Sequence, residues 1–159
     1  MNLTARLGRV HYRRNRVVGG TYFFTVTLAD RRSRVLVDHI DVLRALLRRV
    51  RTARPFEIVA MVVLPEHLPA LWTLPDGDAD YSGRWRAIKA GVTHERVGRG
   101  VPLARNSKGE YDLWQRRFWE HTVRDETDWA RHVDTIPFNP VKHGWVAQAK
   151  DWPWSSFHR

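Results

Sequence analysis

The chain has 159 residues, of which 43% are hydrophobic, and eight of them are tryptophans. This composition excludes a disordered chain, which has few apolar residues, and the length suffices for one domain with its own core. There is no cysteine, so disulfides and thiolate metal sites are excluded and a cytoplasmic location is expected. No apolar run approaches the ~20 residues of a membrane helix, so no membrane partner is expected.

The charge of the chain is strongly positive. Lys and Arg number 27 against 17 Asp and Glu, which gives a net charge of +10, and arginine supplies most of the excess. Arginine presents a planar fork that fits phosphates and guanine edges, and it stacks on bases. Such a balance among aromatic residues is typical of a nucleic-acid-binding protein. A solvated basic surface without a partner is the alternative that composition leaves open.

The first half of the chain predicts an arm, a strand, a helix and a strand pair. Residues 1–19 are basic and lack a helical or strand period, so they are interpreted as an arm. Residues 21–28 are β-branched and aromatic, which favours a strand. An apolar stripe at helical spacing predicts a helix from Asp38, as its N-cap, to just before Pro55. Residues 56–63 and 67–74 are then expected to form two paired strands.

The second half predicts two more helices and one more strand. The second helix is expected to begin at Asp80 or Ser82, and a loop over 98–112 and a strand over 113–123 follow it. The third helix is expected to begin near 125–127 and to end before Pro137, because proline inside a helix breaks it. The tail, 145–159, contains Trp152 and Trp154 and is expected to be packed.

The order of these elements is strand, helix, strand, strand, helix, strand. This order predicts an α+β fold of the ferredoxin-like, split βαβ type, with helices on one face of an antiparallel sheet and one additional C-terminal helix. Neither a repeat nor a linker interrupts the sequence, so residues 1–159 are expected to form a single domain.

Six segments carry a resemblance to a known family, in the family's order and spacing. They are GGTYFFTVTL (19–28), VVLPEHLPALWTLP (62–75), DADYSGRWRAIKAG (78–91), WQRRFWEHTVRDETDWARHVD (114–134), FNPVKHGWV (138–146) and DWPWSSFH (151–158). Together they cover nearly the whole chain. On these segments the sequence resembles the REP-associated tyrosine transposases, a branch of the HUH-type single-tyrosine transposases.

The resemblance implies a function and its parts. It implies a ferredoxin-like fold, a Mg²⁺ or Mn²⁺ cofactor, and recognition of hairpins in single-stranded DNA at repetitive extragenic palindromes. Two histidines at i and i+2 of a strand share a face and hold the metal. A tyrosine and an amide at i and i+4 of a helix share a face, and the tyrosine attacks the DNA phosphate to give a phosphotyrosine link.

The resemblance also assigns the site residues, and two of the reaction positions are substituted. His67 corresponds to the first histidine and Asn139 to the helix-borne ligand, so both are vestigial metal ligands. Proline stands at 69, where the second histidine belongs, and Thr135 occupies the slot of the tyrosine. The DNA cleavage and strand transfer that the resemblance implies are therefore expected to be lost or impaired. The reason is that the threonine side chain is shorter than that of tyrosine and its aliphatic hydroxyl is far less acidic than a phenol.

Other reactive residues leave alternatives open. An active nuclease that uses Thr135 or Tyr111 as a substituted nucleophile is one alternative, and a regulator that binds nucleic-acid hairpins without chemistry is another. His121, His132 and His143 are interpreted as packed or surface residues rather than ligands.

The predicted nucleic-acid-binding surface combines the arm, the second helix and the start of the last strand. Core packing is favoured over base stacking for the aromatic residues Trp114, Phe118 and Trp119. Single-stranded or hairpin DNA is the expected partner, and the protein is expected to be a monomer or a homodimer. The residues expected to contact DNA are Arg9, Tyr12, Arg13, Arg14, Arg84, Arg86, Lys89, Arg116 and Arg117.

Overall fold

The computed structural model of the protein describes residues 16–100 and 103–158. The arm residues expected to contact DNA (Arg9, Tyr12, Arg13 and Arg14) lie outside this part of the chain. Within it, four strands form one antiparallel sheet in the order β2-β3-β1-β4. They are β1 (Thr21–Thr27), β2 (Glu57–Met61), β3 (His67–Thr73) and β4 (Trp119–Thr122). This strand order is that of a ferredoxin-like sheet, so the predicted fold class is confirmed.

The described part of the chain contains five α-helices, of which three correspond to the predicted helices and two are additional four-residue helices. They are α1 (Val35–Asp38), α2 (Ile40–Ala53), α3 (Tyr81–Gly98), α4 (Glu126–Thr135) and α5 (Asn139–Lys142). Asp80 caps α3, because its carboxylate accepts a hydrogen bond from the Gly83 amide at 2.9 Å. Asp38 ends α1 instead of capping α2, whose N-cap is His39, so that detail of the prediction was wrong.

The core lies between one face of the sheet and the helices α2 and α3. Alternate residues of β1, among them Tyr22 and Phe24, are buried, as expected for a strand with one covered face. The rings of Trp72 on β3 and Trp85 on α3 stack with centroids 4.1 Å apart, and Phe24 contacts both rings edge-on. This aromatic cluster joins the sheet to α3.

The opposite face of the sheet carries α4. Phe23 of β1 points away from the core, and its ring lies 4.6 Å from the ring of His132 on α4. Strand register places His121 of β4 beside Phe23, and Pro69 of β3 beside Thr25. These side chains share the second face because residues at i and i+2 of a strand point the same way. The candidate site lies on this face.

Two strand predictions differ from the structure. The strand expected over 113–123 forms only at Trp119–Thr122. Leu113 and Trp114 are neighbours and both buried, which the alternation of a half-covered strand does not permit. The predicted bulge or early end at Pro69 is absent from β3, which continues from His67 to Thr73.

Pro69 fits β3 because of where β2 ends. The Val62 amide donates to the Pro69 carbonyl at 3.1 Å, so the missing N–H of Pro69 also faces the β2 side. The regular pairing of β2 with β3 ends at Met61 and Ala70. Proline is tolerated where a ladder stops. The cost expected for a central strand is therefore avoided.

The tail covers the chain just after β2. The indole nitrogen of Trp152 donates to the Val63 carbonyl at 2.9 Å, and the Val63 amide donates to the Trp154 carbonyl at 2.9 Å. Trp152 is buried. The expectation that these tryptophans are packed is confirmed for Trp152, while Trp154 is half-buried against the core.

Candidate nucleic-acid interface and reaction cleft

The residues assigned to the reaction by resemblance meet in one cleft. A cavity of about 490 Å³ lies between the second face of the sheet and the end of α4. Its walls include His67 and Pro69 from β3, Thr135 from the end of α4, and Asn139 from the start of α5. Sequence reasoning therefore selected positions that are about 70 residues apart in the chain and adjacent in space.

Pro137 does not separate Thr135 from Asn139. Residues Ile136–Phe138 form a single 3₁₀ turn that links α4 to α5, so α4 ends before Pro137 as predicted. Thr135, Ile136 and Asn139 keep right-handed helical backbone angles, and one turn therefore still separates positions 135 and 139. The side-chain amide nitrogen of Asn139 donates to the Ile136 carbonyl at 3.2 Å, and Asn139 lines the cleft.

His67 is held in place from two sides. Its Nδ1 is hydrogen-bonded to the Glu66 carboxylate, and its ring meets the edge of His143 with centroids 5.1 Å apart. Burial lowers the pKa of His67, and the Glu66 hydrogen bond opposes that shift only in part. Glu66 is itself paired with Arg31, whose Nε lies 2.8 Å from the carboxylate. The lowered pKa favours the neutral form of the His67 imidazole.

The cleft does not fit the Mg²⁺ or Mn²⁺ ion that the resemblance implies. Such ions prefer about six oxygen ligands in octahedral geometry. The cleft offers the imidazoles of His67, His132 and His143 and the amide of Asn139, while Pro69 offers no ligand atom. Its donors are therefore mainly nitrogen, and the Nδ1 of His67 is hydrogen-bonded to Glu66. No step of a reaction can be assigned to a metal at this place.

A second group of polar residues borders the cleft, shares His132 with its wall, and was missed by sequence reasoning. His121 of β4 and Asp128 and His132 of α4 bring one ligand atom each to within 4.8 Å of one another. They form the one group of this kind in the described residues, and it could hold a metal ion. The hydrogen bond from His121 is the main reason why the pKa of Asp128 lies below its usual value.

The sequence could have indicated that Asp128 and His132 lie together, because positions i and i+4 of a helix share a face. It could not have indicated that His121 joins them, because its approach to α4 depends on the pairing of β4 with β1. The interpretation of His121 and His132 as merely packed or surface residues missed this convergence.

Part of the predicted DNA-contacting set lines another cavity. Arg86 and Lys89 of α3 and Arg116 from the following loop surround a space of about 710 Å³. Lys89 donates to the Gln115 carbonyl at 3.1 Å and lies over the Trp114 ring. Arg86, Arg116 and the neighbouring Arg117 are exposed. We call Arg86, Lys89 and Arg116 the basic cavity residues.

Arg84 does not belong to this surface, and its prediction as a DNA-contacting residue was wrong. It is 1% exposed. Its guanidinium donates to both carboxylate oxygens of Asp78, at 2.7 and 3.1 Å, and to three backbone carbonyls, those of Arg54, Pro55 and Asp80. The hydrogen bonds from Arg84 to its carboxylate are the main reason why the pKa of Asp78 is lowered to about 2. The helical period alone does not tell a buried arginine from an exposed one.

Trp119 also differs from its prediction. Trp114 and Phe118 are buried as expected, but Trp119 is 61% exposed. It lies opposite Thr25 on the second face of the sheet, at the edge strand β4. An exposed indole beside the cleft is a surface on which a base can stack.

Tyr111 lies away from the reaction cleft. Its hydroxyl accepts a hydrogen bond from Arg105 at 2.7 Å, and its ring lies under the same guanidinium. It lines the cavity of the basic cavity residues, whereas His67 and Asn139 line the other cavity. A role as substitute nucleophile beside His67 is therefore not supported by its place in the fold.

Fold and site together define a transposase-like protein, with a ferredoxin-like sheet and a cleft in which a strand and a helix end meet. The chain is 51% identical over 148 residues to the REP-associated tyrosine transposase of Escherichia coli (strain K12). The aligned residues cover 93% of this chain and 82% of that protein. It is 44% identical over 151 residues to a putative REP-associated tyrosine transposase of Haemophilus influenzae, over 94% of this chain and 86% of the relative. This chain belongs to the REP-associated tyrosine transposases.

Solved structures agree with this assignment. A REP-associated tyrosine transposase bound to a REP hairpin superposes with a TM-score of 0.83 at 50% identity, over 95% of this chain and 84% of that one. A putative transposase from Deinococcus radiodurans matches with a TM-score of 0.51 at 20% identity, over 80% of this chain and 98% of that one, which supports the fold alone. No protein-family model matches the sequence. Among the described helices, none combines the length and apolar character needed to cross a membrane.

Proposed function

We propose that this protein binds single-stranded DNA hairpins of the REP type and does not form the phosphotyrosine link of strand transfer. The observation that carries the binding proposal is the 50% identity, over 95% of the chain, to a transposase solved on a REP hairpin. The net charge of +10 and the basic cavity residues support it, because phosphate contacts by Lys and Arg supply most of the affinity for nucleic acid.

The proposed loss of strand transfer depends on two positions in the cleft. A phenol with a pKa of ~10 is an acceptable leaving group when the covalent link is reversed, whereas an aliphatic hydroxyl is not. The Thr135 hydroxyl also stops several bonds short of the place a tyrosine oxygen would reach. Pro69 removes a metal ligand from the same cleft. Both defects act on the same reaction step, so one gel assay tests them together.

The binding half is tested with a labelled DNA hairpin, an unpaired strand of the same composition and an RNA hairpin of the same sequence. We expect the DNA hairpin to bind tightest. Replacing Arg86→Ala or Arg116→Ala should weaken binding at least about threefold and reduce the salt dependence by about one unit of slope. Arg48→Ala is the matched control, because Arg48 is exposed on α2 and does not line the cavity. Equal weakening by Arg48→Ala, or a preference for RNA, would contradict the proposal.

The catalytic half uses the same hairpin with Mg²⁺ or Mn²⁺ and a denaturing gel. We expect no covalent protein–DNA band and no cleaved strand from the unaltered protein. A band that resists denaturation, or a cleaved product that disappears in Thr135→Ala, would overturn the proposed loss of activity. Hairpin binding measured in parallel separates a failure to bind from a failure to react.

A further inference from the structure

Two imidazoles and one carboxylate converge on the second face of the sheet. The His121 Nε2 lies 2.8 Å from one Asp128 carboxylate oxygen, and the His132 Nδ1 lies 3.3 Å from the other. Ligand atoms around a tetrahedral zinc ion are about 3.3 Å apart, given metal–ligand distances of about 2.0 to 2.1 Å. The three ligand atoms lie within 4.8 Å of one another, which approaches the spacing of ligands around one ion. The His132 Nδ1 also lies 2.8 Å from the Asp128 backbone carbonyl, a contact that a bound ion would replace.

The fold fixes these side chains from several directions. Strand pairing holds His121 opposite Phe23, and the helical period places Asp128 and His132 on one face of α4. The His132 ring is supported by the Phe23 ring at 4.6 Å and lies 5.3 Å from the His121 ring. Ligands held by separate, regular elements in this way need little reorganisation before a metal binds.

The group is sheltered but reachable. The side chains of His121, Asp128 and His132 are 28%, 14% and 17% exposed. A cavity of about 460 Å³ opens onto all three, and Arg124 and Arg131 also line it. An ion held by the three ligands would therefore keep at least one coordination position toward this cavity.

The ligand types point to a class of ion. Imidazole suits zinc and its first-row neighbours, whereas Mg²⁺ and Ca²⁺ prefer oxygen ligands. We propose that His121, Asp128 and His132 form a binding site for a divalent transition-metal ion of the zinc type. This site adjoins the cleft at His67 and Asn139, because His132 lines both cavities. The proposal does not depend on the hairpin-binding proposal.

The rival explanation is a hydrogen-bond network that only orders the start of α4. Asp128 accepts a hydrogen bond from the Arg124 backbone amide at 3.0 Å, and its own amide donates to Asp125 at 2.8 Å. The first bond accounts for the Asp128 carboxylate, and the second is the N-cap bond of Asp125. They do not require an imidazole on each side of the Asp128 carboxylate. Metal binding separates the two explanations directly.

The test uses the full chain without an affinity tag, stripped of metal by a chelator. Co²⁺ is titrated first, because its visible absorption bands report nitrogen and oxygen coordination, and Zn²⁺ is then titrated by calorimetry and by displacement of Co²⁺. We expect saturation at one equivalent. His121→Gln, His132→Gln and Asp128→Asn should each lower the affinity at least tenfold.

The controls place the ion in the structure. His94→Gln removes an exposed histidine of α3 outside the cavity and should leave binding unchanged, and circular dichroism checks that each variant is folded. Because three variants remove different ligand atoms, misfolding of one does not weaken the test. Absence of saturable binding, equal binding by all three variants, or loss of binding in His67→Gln but not in His132→Gln would each overturn the proposal.

Discussion

At the scale of single residues, identical side chains in one helix have opposite environments. Arg84 and Arg86 are two positions apart on α3, yet Arg84 is buried against Asp78 and Arg86 is exposed. A buried ion pair is stabilising only when all its donors and acceptors are satisfied. The five hydrogen bonds of the Arg84 guanidinium meet this condition.

Two substitutions on α3 are therefore expected to differ strongly in their effect on stability. We expect Arg84→Met to lower the free energy of unfolding by about 3 to 5 kcal/mol, because it leaves several buried carbonyls without a donor and the Asp78 carboxylate without its charge partner. Arg86→Met should change stability by less than about 0.5 kcal/mol. Urea unfolding of both variants at pH 7 measures the difference, and equal stability would mean that Arg84 is not buried in solution.

The ion pair of Asp78 with Arg84 makes the stability of the folded protein depend on pH. Its pKa is about 2 in the folded protein, against an ordinary value of 3.8, chiefly because of the hydrogen bonds from Arg84. A carboxyl whose pKa is lowered by folding stabilises the folded state at pH values above its pKa in the unfolded chain. This stabilisation is lost as the pH falls from about 4 toward 2. The same argument predicts that the loss is smaller in Arg84→Met.

At the scale of elements, the packing of α2 on α3 depends on a glycine. A Cβ atom added at Gly91 of α3 would lie 2.4 Å from Cδ2 of Leu46 on α2, and two further atoms of that side chain would lie within 3.2 Å. Leu46 is 5% exposed, so it has little room to move. The helices approach closely here because Gly91 has no side chain.

A pair of glycine substitutions isolates this contact. Gly98, the last residue of α3, has no atom within 4 Å of an added Cβ. Both Gly91→Ala and Gly98→Ala remove backbone freedom from the unfolded chain, which favours folding. Overpacking costs about 1 to 3 kcal/mol, so we expect Gly98→Ala to be more stable than Gly91→Ala by about that amount. Thermal or urea unfolding checks it, and equal stability would show that Leu46 adapts without cost.

At the scale of the whole molecule, the reaction cleft is assembled from separate elements that the fold alone brings together. The cleft forms with Pro69 and Thr135 in its walls, because neither residue contributes to the packing of the sheet on α2 and α3. The cavity of about 490 Å³ in front of them also leaves space for larger side chains.

This separation of framework and chemistry predicts a gain of function. In the double variant Pro69→His with Thr135→Tyr, an imidazole and a phenol are restored to the same cleft, and we expect a covalent DNA adduct in the presence of Mg²⁺ or Mn²⁺. Either single variant should give less adduct than the double variant. The matched control is Pro69→His with Thr135→Phe, which restores the ring without the hydroxyl and should give none.

The comparison of these variants also shows whether Pro69 and Thr135 are the only defects of the cleft. A double variant that binds the hairpin but never reacts would mean that the cleft lacks more than these two side chains. Adduct in the phenylalanine control would mean that another nucleophile operates. Denaturing gels and mass spectrometry of the linked peptide distinguish these cases.

Local patterns were sufficient for much of this molecule. Asp80 and Asp125 cap α3 and α4 close to the predicted starts, because capping involves neighbours within three residues. The period of two in β1 and the turn between β2 and β3 likewise depend on adjacent residues. The spacing of His67, Thr135 and Asn139, together with the resemblance over six segments, located the cleft before its geometry was visible.

The tertiary structure decided what depends on distant partners. The burial of Arg84 depends on carbonyls some 30 residues earlier in the chain, and the exposure of Trp119 depends on its place at a sheet edge. The meeting of His121 with Asp128 and His132 requires the register of β4 on β1. Sequence periodicity fixes which side of an element a residue occupies, but the packing of elements determines whether that side meets solvent, the core or another ligand.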